Sequence, residues 1–565
     1  MRTGSKVFRW LLWAVGTVLS LLLLLQLLIF FFFQPIVGRA LKEAVNHFTD
    51  GLYQIDYEQL DASLFSQKIA LKNVTLRYDT ARVNRSARLK HQKYYTGTLR
   101  HVDVRFRDFD YFLSGRYLAV DVIDVNQPSV FIHRYPFLSQ PDSAAADSSV
   151  RFNTYQLIKP YFDSVTIDAI SVKRAALGLV RHHDAGAPDS TTVRELGMQV
   201  VAAQIDSVAA QQTHGWPAMR EAKLWLRDQT FVSSDSLYQF GVDSLGVDPM
   251  VGEVLARQVS VTPRLGKYEM GQQLGTLTTW MEWKAGTVAL QGVDFLGMTD
   301  SLVVQMRRAS VEQMELHLFR DLRLPSGEAQ TRPLLPKLLQ SVATPFGIDT
   351  LVLTDGLIRY EERRPSAEQA GYITFADLHA SLRHVTNRTS DTTLVLEADV
   401  RTKFMNKGQA TLQFDFPLTD PHGEHRIRGE MDRMLLTALN PAVEPLAFAS
   451  IKRGVANRLD FDMRLDDRSA TGNVRFLYDD LKINLLKEEE PDKKKIVKSW
   501  LANWLVIKES NPTRNKPLRP GPISIERDPT RSMTRYWWLA LRSGLMTSVG
   551  VQSSPDQEDT ASAQN

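Results

Sequence analysis

The feature that most constrains the fold is a two-residue alternation of apolar and polar side chains. In Val102-Asp103-Val104-Arg105-Phe106-Arg107 apolar and charged residues alternate strictly. Leu459, Phe461, Met463 and Leu465 alternate with Asp460, Asp462, Arg464 and Asp466, and Leu412, Phe414 and Phe416 follow the same rule. Successive side chains of an extended strand point to opposite faces, so these segments build sheet with one apolar and one wet face. Turn residues punctuate the runs, and no long helical stretch alternates with them, which argues against a βαβ architecture. An apolar sheet face must be hidden, either by packing on itself or by curling round a trough that something else fills.

A repeat runs through the alternation. The chain reads VDVIDVNQPSVFI around Asp121, IDAISVKRAALGL around Asp168 and IDTLVLTDGLIRY around Asp349. Aligned without gaps, Val120, Ile167 and Ile348 coincide, and then the three aspartates. Next come Ile123, Ile170 and Leu351, followed by Val125, Val172 and Leu353. Pro128, Ala175 or Gly356 comes next, then Val130, Leu177 and Ile358, then Ile132, Leu179 and Tyr360. The alternation slips by one at the Pro/Ala/Gly position. A slip of one residue flips every later side chain, so a bulge or tight turn belongs there.

Two copies share a lead-in. Tyr155, Leu157, Ile158, Tyr161 and Phe162 precede the second, and Leu334, Leu335, Leu338, Leu339 and Val342 the third. Both read as short amphipathic helices crossing between sections of sheet. A loop around 141–146 separates the first two copies, and the charged stretches 82–93 and 361–369 read as solvated hairpin tips. After the charge block 487–495, Trp500, Leu501, Trp504 and Leu505 fall at helical spacing. The segment 536–551 is apolar but holds Arg542 and is too short to span a bilayer. It reads as a cover for the open end of a sheet.

The N-terminal run from Phe8 to Phe33 carries one charge, Arg9 at its edge. As a helix of roughly 24 residues it measures about 36 Å, enough to cross a hydrocarbon core of about 30 Å. It ends in Phe30 to Phe33 and then Gln34-Pro35, a poor cleavage site, so it reads as an uncleaved anchor. Trp10, Leu21, Leu25, Phe30 and Phe33 represent it. Arg2, Lys6 and Arg9 in front outnumber Arg39 and Lys42 behind, which places the N-terminus in the cytoplasm. A first helix of the body is expected over Ile36, Ala40, Leu41, Ala44, Val45 and Phe48, stopping at Gly51.

Composition narrows the function. Charged residues make up 23% and aromatics 9%, which fits a folded chain. A net charge of +4 over 565 residues gives no electrostatic reason to expect nucleic acid. The absence of cysteine excludes disulfides, thiolate nucleophiles and cysteine-ligated metals. The sequence contains no G-x-S-x-G, H-E-x-x-H, Walker A or G-x-G-x-x-G motif. His182-His183-Asp184 and His422-Gly423-Glu424-His425 hold metal-ligating residue types, but each sits in a polar, turn-like stretch and reads as a solvated loop. Arg82, Arg85, Arg88, Lys90 and Lys93 read as a loop surface before a phosphate site. Trp537 and Trp538 read as buried aromatics. No catalytic residue, cofactor or metal is expected, and the chain is expected not to be an enzyme.

The repeated unit with its NQPSVFIHR ending, the single N-terminal anchor and the β-rich body resemble the AsmA-like family of bacterial envelope proteins. The segments IKRGVANRLDFDMRLDDRSATGNVRFLYDDLKINLL (Ile451 to Leu486) and ISIERDPTRSMTRYWWLALRSGL (Ile523 to Leu545) are similar to the C-terminal part of that family. The resemblance covers most of the chain and fits least between Val201 and Leu324. It implies a mainly β fold: one transmembrane helix, then a long curved antiparallel sheet of repeated modules forming a groove, with short crossing helices. It also implies an inner-membrane, periplasmic protein that moves or balances phospholipid and supports the outer membrane. Ile123, Val125, Val130, Ile132, Ile170, Val172, Leu177, Leu351, Leu353 and Ile358 are then the candidate groove-lining residues. The expected partners are membrane phospholipids, the inner membrane and outer-membrane or envelope proteins. The expected divisions are 1–34, stub and anchor; 35–150, 151–330 and 331–486, three β modules; 487–552, charged linker, helix and cap; and 553–565, a disordered tail. The alternative is a membrane-tethered scaffold or outer-membrane assembly factor whose β core is packed by its own side chains.

Overall fold

The computed structural model describes residues 51–63, 66–85, 93–107, 116–134, 153–182, 189–213, 215–301, 303–327, 331–365, 367–388, 391, 393–486 and 507–551, with scattered residues between 38 and 49. The expected anchor, with Trp10, Leu21, Leu25, Phe30 and Phe33, lies outside the described residues, as do the 141–146 loop, residues 487–506 and the tail. Gly38, Arg39, Lys42, Glu43, Val45 and Asn46 are helical, within the stretch read as the first helix. Among the described residues no helix is long and apolar enough to cross a membrane. The protein is mainly β, and its sheet pairing is mixed. Two compact units are present, Met1–Gln229 with Ser244–Val251 and Thr230–Asp243 with Gly252–Asn565.

In the first unit β1 (Tyr53–Asp56) and β2 (Gln59–Ser63) both pair with β3 (Lys68–Tyr78). The helix α1 (Thr80–Arg85) follows, then β4 (Lys93–Phe106) on β3 and β5 (Tyr117–Arg134) on β4, all antiparallel. After α2 (Thr154–Ile158), β6 (Ser164–Arg181) returns parallel to β5. The strand β7 (Asp189–Asp206), α3 (Ser207–Gln212) and β8 (Glu221–Val232) complete it with antiparallel pairing. Side chains cap the two short helices: Asn153 accepts from the Gln156 amide, and Asp206 from those of Val208 and Ala209.

The division between units falls within β8 and β9 (Tyr238–Asp248). In the second unit β10 (Glu253–Pro263), α4 (Glu269–Leu274), β11 (Thr279–Gln291), α5 (Phe295–Ser301), β12 (Val304–Glu312) and β13 (Glu315–Asp321) come first. After α6 (Leu335–Gln340), β14 (Phe346–Arg363) lies parallel to both β12 and β13. Antiparallel neighbours follow: β15 (Gly371–Thr386), β16 (Val395–Phe404), β17 (Gly408–Pro417) and β18 (His425–Met431). Next come β19 (Met434–Leu435), a 3-10 turn, α7 (Asn440–Ala447) and β20 (Ala449–Leu465), which pairs with both β18 and β19. The strands β21 (Ser469–Leu485) and β22 (Gly521–Glu526) and the helix α8 (Met533–Ser548) end the unit.

The expected antiparallel sheet is therefore corrected to a mixed one. Both parallel joins follow the short helices read from the sequence, α2 and α6. In each case the next strand starts from the same end as its parallel partner. The repeat alignment is also the pairing register. Val120 faces Ile167, Ile123 faces Ile170, Val125 faces Val172, Val130 faces Leu177 and Ile132 faces Leu179.

The expected phase slip is present in the backbone. Gln127, Arg174 and Asp355, each one residue before the Pro/Ala/Gly position, have φ of 52°, 53° and 53°. Asn73, Glu195 and Asp228 take the same left-handed conformation in the first unit, and Gln258, Gln313, Asp377 and Asp480 in the second. Register aligns neighbours of this set: Asn73 and Gln127 both stand opposite Arg100, and Gln127 stands beside Arg174. A left-handed residue costs a non-glycine side chain about 1–2 kcal/mol, and such bulges bend the strand. Glu195 is exposed, so it isolates this backbone cost. Glu195→Val should lower stability by about 1–2 kcal/mol in urea unfolding, whereas Glu195→Gly should match or exceed the parent.

Two expected hairpin tips are corrected. Within 82–93, Val83 in α1 is fully buried against Tyr78 and Tyr94. Within 361–369, Glu361 and Glu362 are buried. Burial alone would raise the Glu361 carboxyl, but the His317 ring nitrogen 3.3 Å away and hydrogen bonds from Lys267 and Arg359 outweigh it and hold the group well below the usual carboxylate range.

Candidate apolar binding face

Register draws the alternating residues into lines. In the first unit one line crosses six strands: Ile69, Val104, Ile123, Ile170, Val200 and Ala222. A second, two residues along, is Leu71, Val102, Val125, Val172, Met198 and Leu224. Beyond the left-handed residues lies Leu76, Gly97, Val130, Leu177 and Val193, and then Tyr95, Ile132 and Leu179. Cross-strand partners share a face, so each line is a continuous apolar ridge.

The second unit extends the pattern over eleven strands. Val254, Leu290, Ala309, Leu351, Leu382, Ala398, Phe414, Ile427, Met463, Gly472 and Ile523 form one line. Ala256, Val288, Val311, Leu353, Ala380, Val400, Leu412, Gly429, Phe461, Val474 and Gly521 form the next. Ile358 belongs to a third, with Val261, Trp283, Leu316, Phe375 and Phe404. Gly429 is required by close approach: a Cβ there would lie 2.3 Å from the Phe461 ring.

All ten candidate groove residues thus fall on apolar lines, seven in the first unit and three in the second. Val130 and Leu177 are 38% and 44% exposed, and the other eight are half-buried. Sequence reasoning missed their partners on other strands, such as Met198, Leu290 and Leu382. Alternation was the available signal, but it does not tell which strands become neighbours.

Most residues between the first two lines of each unit are polar, and several form ion pairs on the opposite face. Lys68 reaches Asp103 at 2.7 Å and Lys173 reaches Asp124 at 3.1 Å. In the second unit Arg428 pairs with Asp415 at 2.8 Å and Arg383 with Glu397 at 2.7 Å. Such exposed pairs contribute little stability, about 0–1 kcal/mol each. They make this face unfit for burial, which leaves the other to carry the apolar contacts.

Helices cover parts of the apolar face. Ile158 of α2 and the following Phe162 pack on Val165 and Ile167. Leu335 and Leu339 of α6 pack by Phe346 and Leu396. The helix α8 lies on β20 to β22 with Tyr536, Ala540 and Gly544 buried, so the segment 536–551 does cover sheet. Trp537 is half-buried, whereas Trp538 is 52% exposed and corrects the reading of both as buried. No protein-family model matches the chain, and no curated protein matches it.

The histidine candidates resolve differently. His183 and Asp184 lie outside the described residues, while His182 Nε2 is 3.1 Å from His133 Nδ1. His422 faces Asp467 at 3.4 Å on the surface. His425, read as part of a solvated loop, is buried at 1% exposure. Its Nδ1 lies 2.8 Å from the Gly423 carbonyl, and its Nε2 lies 2.9 Å from the Trp537 indole nitrogen. Nδ1–H donates to the carbonyl and the indole N–H donates to Nε2, so the ring is neutral and both nitrogens are occupied. Asp355, Asp377 and His379 converge within 4.8 Å at the left-handed line, but Lys403 already neutralises Asp377 at 2.9 Å.

Burial, aided by the nearby Arg527 charge, lowers the His425 pKa despite its bond to Gly423. The unfolded chain takes up this proton near pH 6.5, the folded one only at lower pH. His425 therefore contributes stability that is full above about pH 6.5 and falls as pH drops toward the folded value. Thermal unfolding should show this acid-side loss in the parent and a flatter profile over the same window in His425→Phe.

Proposed function

We propose that this protein is anchored in a bacterial inner membrane by its N-terminal segment, with its bulk in the periplasm. There it holds lipid acyl chains against the apolar lines and supports phospholipid transport and outer-membrane homeostasis, as expected of an AsmA-like protein. The supporting observation is the unbroken apolar character of lines six and eleven strands long, opposed by an ionic face. Transferring a 16-carbon chain into water costs on the order of 13 kcal/mol, at about 0.8 per CH₂. An apolar ridge that offsets this cost at every step lets a chain slide without covalent chemistry.

The scaffold alternative is favoured by one region. Around β18 to β22 the lines are filled by the protein itself: Ile427, Met463 and Ile523 are 2–3% exposed under α8 and its neighbours. The two readings separate by mutation and native mass spectrometry. Under lipid binding, Val130→Asp with Leu177→Asp should leave the melting transition near that of the parent and reduce co-purified phospholipid. Met463→Asp should unfold the second unit under either reading, because it buries an unpaired charge. A lipid-free parent, or a Val130→Asp/Leu177→Asp protein with undiminished lipid, would leave the scaffold reading.

A further inference from the structure

The apolar columns of the first unit end in cations. Along β5, alternate residues on one face are Val130, Ile132 and Arg134; along β6 they are Leu177, Leu179 and Arg181. Arg134 and Arg181 are direct register partners, and Lys93 occupies the position facing Arg134 on β4. Like charges directly opposite destabilise a sheet. Both arginines are exposed, and among the described residues neither makes an ion pair, although Asp189 stands opposite Arg181 in register. The other face of the same segment is occupied. Phe131 lies over Gly178, where a Cβ would meet its ring at 2.3 Å, and His133 sits between Tyr78 and His182. The side carrying the arginines remains apolar and open, with Tyr95, Val130 and Leu177 at 38–44% exposure.

We propose that Arg134 and Arg181 bind the anionic headgroup of a phospholipid whose tails lie along Ile132, Val130, Leu179 and Leu177. The proposal rests on the acyl-chain reading above and adds selectivity to it. A guanidinium presents a planar fork of donors that matches a phosphodiester, and two side by side favour a net negative headgroup. The same pair repels the trimethylammonium of a choline headgroup. Charge complementarity at the end of an apolar column therefore selects an anionic amphiphile over a zwitterionic one with identical tails.

The test is competition on the full chain. The protein is incubated with equimolar phosphatidylglycerol and phosphatidylcholine of the same acyl composition, and bound lipid is counted by native mass spectrometry. A preference for phosphatidylglycerol of about ten-fold is expected, the scale of one charge-assisted contact. Arg134→Gln with Arg181→Gln should bring the ratio near one while total bound lipid stays constant. Arg134→Lys with Arg181→Lys should retain part of the preference. The parent gives a check that needs no mutation, since raising salt from about 50 to about 500 mM should weaken the preference. Inorganic phosphate at millimolar excess should not strip the lipid, because the tails hold it. Equal binding of the two lipids by the parent or an unchanged ratio in the glutamine variant overturns the headgroup assignment and leaves acyl-chain binding standing, whereas displacement of the lipid by phosphate overturns the acyl-chain reading on which the assignment rests. A parent that binds neither lipid removes both.

Discussion

The structure depends on register. A strand carries its apolar residues on every second position, so one slipped hydrogen-bond pair would turn a whole strand's apolar set toward the ionic face. In the second unit eleven strands hold one apolar line without a break. The two parallel joins keep that discipline. At β5 and β6 equivalent residues of two repeat copies face each other, Ile123 on Ile170 and Val125 on Val172. Identical patterns laid side by side in the same direction stay in phase along their whole length. An antiparallel pairing of the same two copies would set the Asp121 end of one against the Arg134 end of the other.

Bending must be reconciled with that register. A bulge in one strand alone would throw its neighbours out of phase. Here the left-handed positions are placed across neighbouring strands, Gln127 beside Arg174, and Asn73 and Gln127 opposite the same Arg100. The residues used are mostly Asn, Asp, Gln and Glu, whose polar side chains suit the ionic face. Some make local bonds there: Arg100 donates to Gln127 at 2.8 Å and Arg174 to Asn126 at 3.2 Å. The strain is distributed as one modest cost per strand.

Much of this is legible in the sequence because it is local. Alternation around Val102 and Phe461 specified strands, and the Pro128/Ala175/Gly356 slip located the left-handed residues to within one position. The lead-ins at Tyr155 and Leu335 specified α2 and α6. Pairing direction was not legible, because a parallel and an antiparallel strand carry the same alternation. The burial of Glu361 and His425 was also hidden. Their partners, Lys267 and His317 in one case and Trp537 in the other, are distant in sequence, and a charged residue beside a turn reads as solvent-exposed until those partners are placed. Arg134 and Arg181 were plain in the repeat, but only the parallel register makes them neighbours.

The same chemistry serves two ends within the second unit. Around β18 to β22 the apolar lines meet α8, where Gly544 and Gly521 approach so closely that a Cβ on Gly544 would lie 2.7 Å from the Gly521 carbonyl oxygen. An acyl chain entering there would have to displace Tyr536, Ala540 and Val549 from their packing. Each buried apolar side chain of that kind contributes about 1.5–3 kcal/mol at leucine size, so displacement of several exceeds what a short stretch of chain returns at about 0.8 kcal/mol per CH₂. Along β10 to β16 the large residues Leu290, Leu351, Leu353 and Leu382 remain half-buried, and among the described residues only the short helices α5 and α6 pack by part of this line. A carrier built this way would be closed at its C-terminal edge by its own helix. The closed edge would supply the cooperative core, and the open lines could stay partly exposed because that core does not depend on them.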